Sequence, residues 1–242
     1  MIIEYFHDQE SLSRRGTDMV KEEMRKKKDL LLCAATGRSP EKIYEGMIRE
    51  SEKDRQLFRN LRIINLDEWW AIPANSEGTC EDYLRKRLVE PLSIHENRFI
   101  SFVPDVVDPD LECKRISSTL YRQGPIDLAI VGIGRNGHIG LNEPGIYLKP
   151  YCHLVTLSEQ SRQHAMTEHM VKKPTHGMTL GIKEILSSRK IILIVSGADK
   201  QAVTRTLFSG VVTTECPASF LWLHDHAYCL VVNSQYNLSL YQ

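Results

Sequence analysis

Short apolar runs separated by longer segments of helical periodicity are the feature that most constrains the fold of this 242-residue chain. Runs that are apolar along their whole length are typical of parallel strands covered on both faces. The alternation therefore predicts an α/β fold with a doubly wound, mostly parallel sheet. The clearest strand candidates are 29–35, 61–66, 126–132, 190–196 and 228–233.

The segments between these runs predict helices at about 10–27, 39–51, 79–89, 108–122 and 199–209. Thr79, three residues before Asp82, has the chemistry of an N-cap for the third of them. The chain contains no internal repeat and no linker rich in Gly, Pro or Ser, so we expect one domain over 1–242. Prolines and glycines interrupt the pattern over about 143–177, which predicts a mobile lid there.

Charge and cysteine content favour a small-molecule partner. Lys plus Arg and Asp plus Glu both number 31, so no net field would attract nucleic acid or a membrane surface. The apolar runs fall short of the roughly 18 residues that span a bilayer, and the first residues do not form a signal sequence. The six cysteines have no spacing typical of a zinc site or a disulfide framework. We therefore expect a soluble, cytoplasmic protein with reduced thiols.

Two predicted strand ends carry residues suited to a phosphate. Ligands of open parallel sheets bind beyond the carboxyl ends of the strands. The first strand leads into Thr36, Gly37, Arg38 and Ser39, and a helix beginning near Ser39 would offer free backbone N–H groups to an anion. Lys200 follows the strand at 190–196 and could add a positive charge. The alternatives are an ordinary turn capped by Ser39 and a surface lysine.

A third strand end carries two adjacent acids followed by two aromatic residues. Asp67 and Glu68 follow the strand at 61–66 and precede Trp69 and Trp70. A carboxylate in a partly dry pocket can have its pKa raised toward that of a useful general base. The alternative is that one acid caps backbone groups while the tryptophans belong to the core.

The fourth strand end is a glycine-rich loop that contains a histidine. Residues 132–137 satisfy the GxGxxG pattern, but the following HIGLNEPG cannot sustain the helix that a dinucleotide site requires. The loop instead offers His138 as an acid/base imidazole, with Asn136 and Glu143 as polar partners that could fix its orientation.

Together these motifs resemble the glucosamine-6-phosphate deaminase family and its galactosamine-6-phosphate deaminase/isomerase branch, over nearly the whole chain. The most specific segments are NLDEW at 65–69 and GRNGHIGLNEPG at 134–145. ATGRSP at 35–40 and GADK at 197–200 support the match. GTCEDYL at 78–84 and PASFLWLH at 217–224 are similar to the galactosamine-type branch in particular.

The resemblance implies a Rossmann-like sheet, no metal or other cofactor, an amino-sugar phosphate as substrate and conversion of an aldose to a ketose with loss of the 2-amino group. Asp67 matches the base that moves the C2 proton to C1. His138 matches the residue that opens the sugar ring, with Glu143 holding the imidazole. The positions that match phosphate contacts are Thr36, Gly37, Ser39 and Lys200.

Two positions depart from the family pattern. Asn136 stands where the pattern often has an aspartate, and the arginine that some members use on the phosphate has no counterpart near 162–167. We hypothesise that Arg38 or Arg162 takes its place.

Three other activities fit parts of this pattern. A glucosamine-type deaminase has the same motifs, and a lactonase of the 6-phosphogluconolactonase type resembles the same fold with a similar histidine loop. A sugar-phosphate sensor of a transcription regulator would need a helix-turn-helix segment and a basic surface. The oligomeric state is open, and a homo-oligomer is compatible with the family.

Overall fold

Strands and helices alternate along the computed structural model of the protein, which describes residues 1–74, 76–163 and 165–232. The strands are β1 (Ile2–Phe6), β2 (Leu31–Ala34), β3 (Arg62–Asn65), β4 (Asp67–Trp69), β5 (Phe99–Ile100), β6 (Leu128–Gly132), β7 (His153–Thr156), β8 (His176–Thr179), β9 (Lys190–Val195) and β10 (Ala227–Val232). The helices are α1 (Gln9–Lys26), α2 (Arg38–Lys53), α3 (Cys80–Leu84), α4 (Pro109–Gln123), α5 (Glu159–Arg162), α6 (Ile182–Leu186) and α7 (Gln201–Phe208).

Seven of these strands form one parallel sheet in the order β1-β10-β9-β6-β2-β3-β5. From β2 the chain first builds outward through β3 and β5, and it then returns to add β6, β9 and β10 on the other side. The order therefore reverses between β2 and β6, and such a switch point opens a crevice at the carboxyl ends of the strands.

Both faces of this sheet are buried, which explains why its strands are apolar throughout. In β2, Leu31 and Cys33 face a cluster that includes side chains of α4, α6 and α7. Leu32 and Ala34 face the opposite cluster, formed with α1, α2 and α3. The predicted doubly wound, Rossmann-like fold is confirmed. Among the described residues, no helix is long and apolar enough to cross a membrane.

The five predicted strands and five predicted helices are present, with small shifts at their ends. The third helix is shorter than predicted, because α3 gives way after Leu84 to a π-helical turn, Arg85–Val89. The fifth predicted helix, at 199–209, begins with a 3₁₀ turn, Ala198–Lys200, which precedes α7. Asn233, the last residue of the strand predicted at 228–233, lies outside the described residues.

A second, smaller sheet includes Asp67 and was not predicted. β4, β8 and β7 pair antiparallel in that order, with Asp67 opposite Thr179 and His153 opposite the same threonine. β7 and β8 bracket much of the segment 143–177, so part of the predicted lid is regular structure paired with β4. Its movement as a lid stays a prediction.

Candidate active site

The four predicted strand ends lie side by side at the carboxyl edge of the sheet. They follow β9, β6, β2 and β3, which are consecutive neighbours in the sheet order. Residues far apart in the chain, from Thr36 to Lys200, therefore border one crevice at the switch point. The order of the strands thus brings the predicted site residues together.

The turn after β2 presents the amino terminus of α2 to the crevice. Gly37 is the N-cap of α2 with φ of 95°, a left-handed conformation that favours glycine. No side chain in the described part of the protein caps this helix, so its first N–H groups remain suited to an anion. The alternative that Ser39 is the cap is wrong, because Ser39 lies inside the first turn. The Tyr83 hydroxyl donates to the Gly37 carbonyl at 2.7 Å and fixes the turn.

The other residues predicted to bind phosphate have different environments. Ser39 lies beside the end of β6, where a Cβ added to Gly132 would be 3.7 Å from the serine hydroxyl. Arg38 and Arg162 are exposed. Lys200 follows Gly197, whose φ is 107°, and its partial burial lowers the pKa of the ammonium group. A partly buried ammonium is a suitable neighbour for a phosphate.

Asp67 is the buried acid of the crevice. Only 8% of the residue is exposed. Burial raises the pKa of its carboxyl from 3.8 to about 6, against the opposing effects of nearby His138 and of a hydrogen bond with Cys80. A carboxylate with this pKa is largely ionised at neutral pH and is still basic enough to accept a proton from carbon-bound hydrogen.

Glu68 has a different task from Asp67, although the two are adjacent. Its carboxylate accepts backbone N–H bonds from Trp69 at 2.8 Å, Cys80 at 2.8 Å and Glu81 at 2.7 Å. The last two belong to the first turn of α3, so Glu68 joins that helix to β4. The alternative that one acid of the pair caps backbone groups is therefore confirmed for Glu68, whereas Asp67 is left for the crevice.

The loop after β6 holds the imidazole of His138 in place. The ring lies directly over Gly134, where a Cβ would collide with it, so this position requires glycine. On the other side, His138 Nδ1 is 3.3 Å from the Ser161 hydroxyl and 3.6 Å from Glu143 Oε2. Packing and two polar partners thus restrict the orientation of the ring.

Glu143 is supported from several sides. Asn136 donates its side-chain N–H to Glu143 Oε2 at 2.7 Å, and the Ser158 backbone N–H donates to Oε1 at 3.3 Å. Burial would raise the pKa of Glu143, but its interactions with His138, Ser161 and Asn136 bring the pKa down to about 2. The carboxylate is therefore ionised at all ordinary pH values.

Asn136 connects the two halves of this loop. Its side-chain oxygen accepts the His138 backbone N–H at 3.2 Å while its N–H group donates to Glu143. An aspartate at this position would place two carboxylates in contact, so the amide suits the present arrangement.

Sequence reasoning missed three residues that shape the site. Ser161 reaches His138 from α5, the Tyr83 hydroxyl fixes the turn after β2, and the Cys80 sulfur accepts a hydrogen bond from Thr36. The sequence signals near Tyr83 and Cys80 were the GTCEDYL segment at 78–84 and the predicted helix at 79–89. Among the described residues, no three His, Cys, Asp or Glu side chains are grouped as a metal site.

The protein is similar to known proteins over nearly its full length. The family model described as glucosamine-6-phosphate isomerases/6-phosphogluconolactonase matches residues 8–230. AgaI of Escherichia coli (strain K12), a candidate deaminase, is 37% identical over 91% of this chain and 88% of its own length. Glucosamine-6-phosphate deaminase 1 of Bacillus subtilis (strain 168) is 34% identical over 92% of this chain and 93% of its own.

Solved structures agree with this picture. A monomeric glucosamine-6-phosphate deaminase superposes with a TM-score of 0.92 at 32% identity, covering 97% of this chain and 98% of that one. The 6-phosphogluconolactonase from Trypanosoma brucei superposes with a TM-score of 0.75 over 95% of both chains. Its identity of 19% makes this second likeness one of fold alone.

Proposed function

Because the chain belongs to the glucosamine-6-phosphate isomerase/6-phosphogluconolactonase family, we propose that it converts a hexosamine 6-phosphate into a ketose 6-phosphate and ammonia. The single observation that supports this most strongly is the placement of buried Asp67 and the His138–Glu143 pair beside one uncapped helix terminus. A base, a ring-opening acid and a phosphate site are the three parts that such a reaction needs.

The phosphate is proposed to bind at the amino terminus of α2. Backbone N–H groups at Gly37, Arg38 and Ser39 and the hydroxyls of Thr36 and Ser39 offer donors, and the helix dipole favours the negative charge. Lys200, on the neighbouring side of the crevice, supplies a positive charge. Binding energy at this end would hold the sugar carbons near Asp67 and His138.

Ring opening is proposed as the task of His138. The imidazole takes the proton of the C1 hydroxyl and returns a proton to the ring oxygen, which releases the aldehyde. Glu143 stabilises the imidazole when it is charged and holds the ring in place. Asn136 in turn keeps Glu143 oriented. Only the open-chain aldehyde makes the C2 proton acidic, so this step has to come first.

Asp67 then acts as the base. Its carboxylate takes the proton from C2 while the C1 oxygen gains a proton from the substrate's ammonium group, giving an enolamine. The Asp67 carboxyl then delivers its proton to C1, giving an iminium group at C2. Water adds to C2, the nitrogen is protonated and ammonia leaves, so that a ketone remains. The burial that raises the pKa of Asp67 to about 6 makes it strong enough to accept the proton at neutral pH.

We further propose galactosamine 6-phosphate as the preferred substrate, with tagatose 6-phosphate as product. The support is the similarity of residues 78–84 and 217–224 to the galactosamine-type branch. The first of these segments reaches the turn after β2, since the Cys80 sulfur lies 3.6 Å from the Thr36 hydroxyl. Glucosamine 6-phosphate, which would give fructose 6-phosphate, is the alternative substrate.

The test is ammonia release from purified, EDTA-treated protein supplied with galactosamine 6-phosphate and glucosamine 6-phosphate in parallel. We expect release from both, faster from galactosamine 6-phosphate, and loss of release in Asp67→Asn. Faster turnover of glucosamine 6-phosphate would overturn the substrate preference alone. Absence of ammonia from both would overturn the deaminase proposal, and hydrolysis of 6-phosphogluconolactone would be assayed next.

A further inference from the structure

Ser161 is the one residue of the short helix α5 that is buried. Only 3% of it is exposed, whereas the other three residues of the helix are exposed. Its hydroxyl oxygen lies 3.3 Å from His138 Nδ1, at the long end of hydrogen-bond distances. Glu143 Oε2 is farther from the same nitrogen, at 3.6 Å. The hydroxyl is therefore the closer of these two partners of the imidazole.

The Ser161 hydroxyl is itself held in place. The side chain of Ser158, the N-cap of α5, accepts the Ser161 backbone N–H at 3.2 Å and donates to the Ser161 hydroxyl at 3.1 Å. The Ser158 backbone N–H donates to Glu143 at 3.3 Å, and the side-chain N–H group of Asn136 donates to the Ser158 hydroxyl at 3.5 Å. Because the start of α5 is joined to the loop after β6 at these points, Ser161 has little freedom to turn away from His138.

The two ring nitrogens of His138 have different surroundings. Nδ1 lies beside Ser161 and Glu143, and no group among the described residues forms a hydrogen bond with Nε2. A neutral imidazole carries its proton on one nitrogen only, and the hydrogen-bond partners decide which. The ionised Glu143 can only accept, and the Ser161 oxygen has a second lone pair, so a proton on Nδ1 finds two acceptors. Nε2 then keeps its own lone pair.

We propose that Ser161 is a positioning residue for His138: its hydroxyl accepts the Nδ1–H of the imidazole and so keeps Nε2 unprotonated for the substrate. The proposal rests on the proposed role of His138 in ring opening, because a free nitrogen has to take the proton of the C1 hydroxyl. Ser161 belongs to the segment 143–177, which the sequence predicts as a lid. The orientation of the imidazole is thereby joined to the position of that segment.

Other residues also hold His138, and the test has to separate them from Ser161. Gly134 lies under the ring, the Asn136 side-chain oxygen accepts the His138 backbone N–H at 3.2 Å, and Glu143 Oε2 is 3.6 Å from Nδ1. Substitutions at position 161 leave all three residues in place. A change in the ring proton that follows the hydroxyl at position 161 can therefore be assigned to that hydroxyl.

The experiment is nitrogen-15 NMR of the histidine rings in labelled protein without substrate, at alkaline pH, where the chemical shifts show which ring nitrogen carries the proton. The His138 signals are assigned by their absence in His138→Gln. We expect mostly Nδ1–H in the unsubstituted protein. In Ser161→Ala the ratio of Nδ1–H to Nε2–H should fall by about fivefold, because Nδ1–H loses one acceptor. Ser161→Thr, which keeps a hydroxyl, is expected to restore the ratio.

A matched control removes a buried serine hydroxyl elsewhere. Ser188 is 4% exposed and lies just before β9, at the amino edge of the sheet, whereas His138 lies beyond the carboxyl end of β6. Ser188→Ala is therefore expected to leave the ratio unchanged. An unchanged or higher ratio in Ser161→Ala would overturn the proposal, as would equal ratios in Ser161→Ala and Ser161→Thr or an equal fall in Ser188→Ala. Because no substrate is present, these results are independent of whether the protein releases ammonia.

Turnover gives the second readout. If ammonia release is established, Ser161→Ala is expected to lower kcat by about fivefold with little change in KM, and Ser161→Thr to recover most of that loss. A loss confined to KM would mean that Ser161 acts on substrate binding, which would overturn its role toward His138.

Discussion

The two carboxylates of the site, Asp67 at the start of β4 and Glu143 in the loop after β6, have opposite environments. Asp67 lies among apolar and weakly polar groups, and burial raises its pKa to about 6. Glu143 is also partly buried, yet His138, Ser161 and Asn136 lower its pKa to about 2. The same functional group is thus prepared to exchange a proton in one place and to hold a fixed charge in the other.

This difference supports the proposed role of Asp67 as the base. A general base has to pass between its ionised and protonated forms near the working pH, and a supporting carboxylate should not. Burial raises the pKa of both carboxyls, and only at Glu143 do His138, Ser161 and Asn136 together outweigh it.

The largest effect is expected from Asp67→Asn. The amide fits the same space but cannot accept the C2 proton, so we expect kcat to fall at least about a thousandfold, within the range that general bases contribute. KM should change little, because the phosphate site is untouched. Steady-state ammonia release measures both constants. Retention of a tenth or more of kcat would remove Asp67 from the role of base.

The same substitution is expected to stabilise the folded protein at neutral pH. The displacement of the pKa of Asp67 from 3.8 to about 6 corresponds to about 3 kcal/mol of destabilisation. That cost is present in full above pH 6 and vanishes as the pH falls below 3.8, because the carboxyl is then protonated in both the folded and the unfolded protein. Urea unfolding of Asp67→Asn at pH 8 should therefore show a gain of up to about 3 kcal/mol.

Repeating the unfolding at pH 4.5 supplies the control for this gain. Most of the difference between Asp67→Asn and the unsubstituted protein should disappear there, since Asp67 is then largely protonated in the folded protein. An equal difference in the free energy of unfolding at both pH values would mean that burial of the ionised Asp67 does not destabilise the folded protein.

Glu143→Gln is expected to destabilise the folded protein, in contrast to Asp67→Asn. The ionised Glu143 stabilises the folded protein above its ordinary pKa of 4.5, and this contribution is lost as the pH falls through about 2. After allowance for partial exposure, its loss at pH 7 should cost about 1–2 kcal/mol of stability. Urea unfolding of Glu143→Gln and of the unsubstituted protein at pH 7 measures this loss of stability. A stabilised Glu143→Gln protein would abolish the contrast with Asp67.

The sequence predicted most of the fold because the strands of the large sheet are buried on both faces and are therefore apolar throughout. β4, β7 and β8 escaped prediction because they are three or four residues long and polar or partly exposed. Their pairing depends on contacts between 67–69 and 176–179, which lie far apart in the chain.

The site was predicted in part for the same physical reason. Residues that follow apolar strands necessarily meet at one edge, so Asp67, His138 and Lys200 could be grouped in advance. Adjacent acids point to opposite sides of a strand, but the sequence alone cannot tell which side faces the crevice, and so the tasks of Asp67 and Glu68 stayed open. Ser161 and Cys80 reach the site through the packing of α5 and α3, which leaves no signature in the residues themselves.

The most direct test of the central claim, a buried Asp67 that carries a proton from C2 to C1, is to run the reaction with unlabelled substrate in deuterium oxide. Mass spectrometry of the ketose product then gives the fraction of deuterium at C1. We expect protium at C1 in part or all of the product, because the proton held by a buried carboxyl exchanges slowly with solvent before it is delivered. Complete deuteration at C1 would mean that the proton exchanges freely with water, and that result would contradict transfer by a buried Asp67.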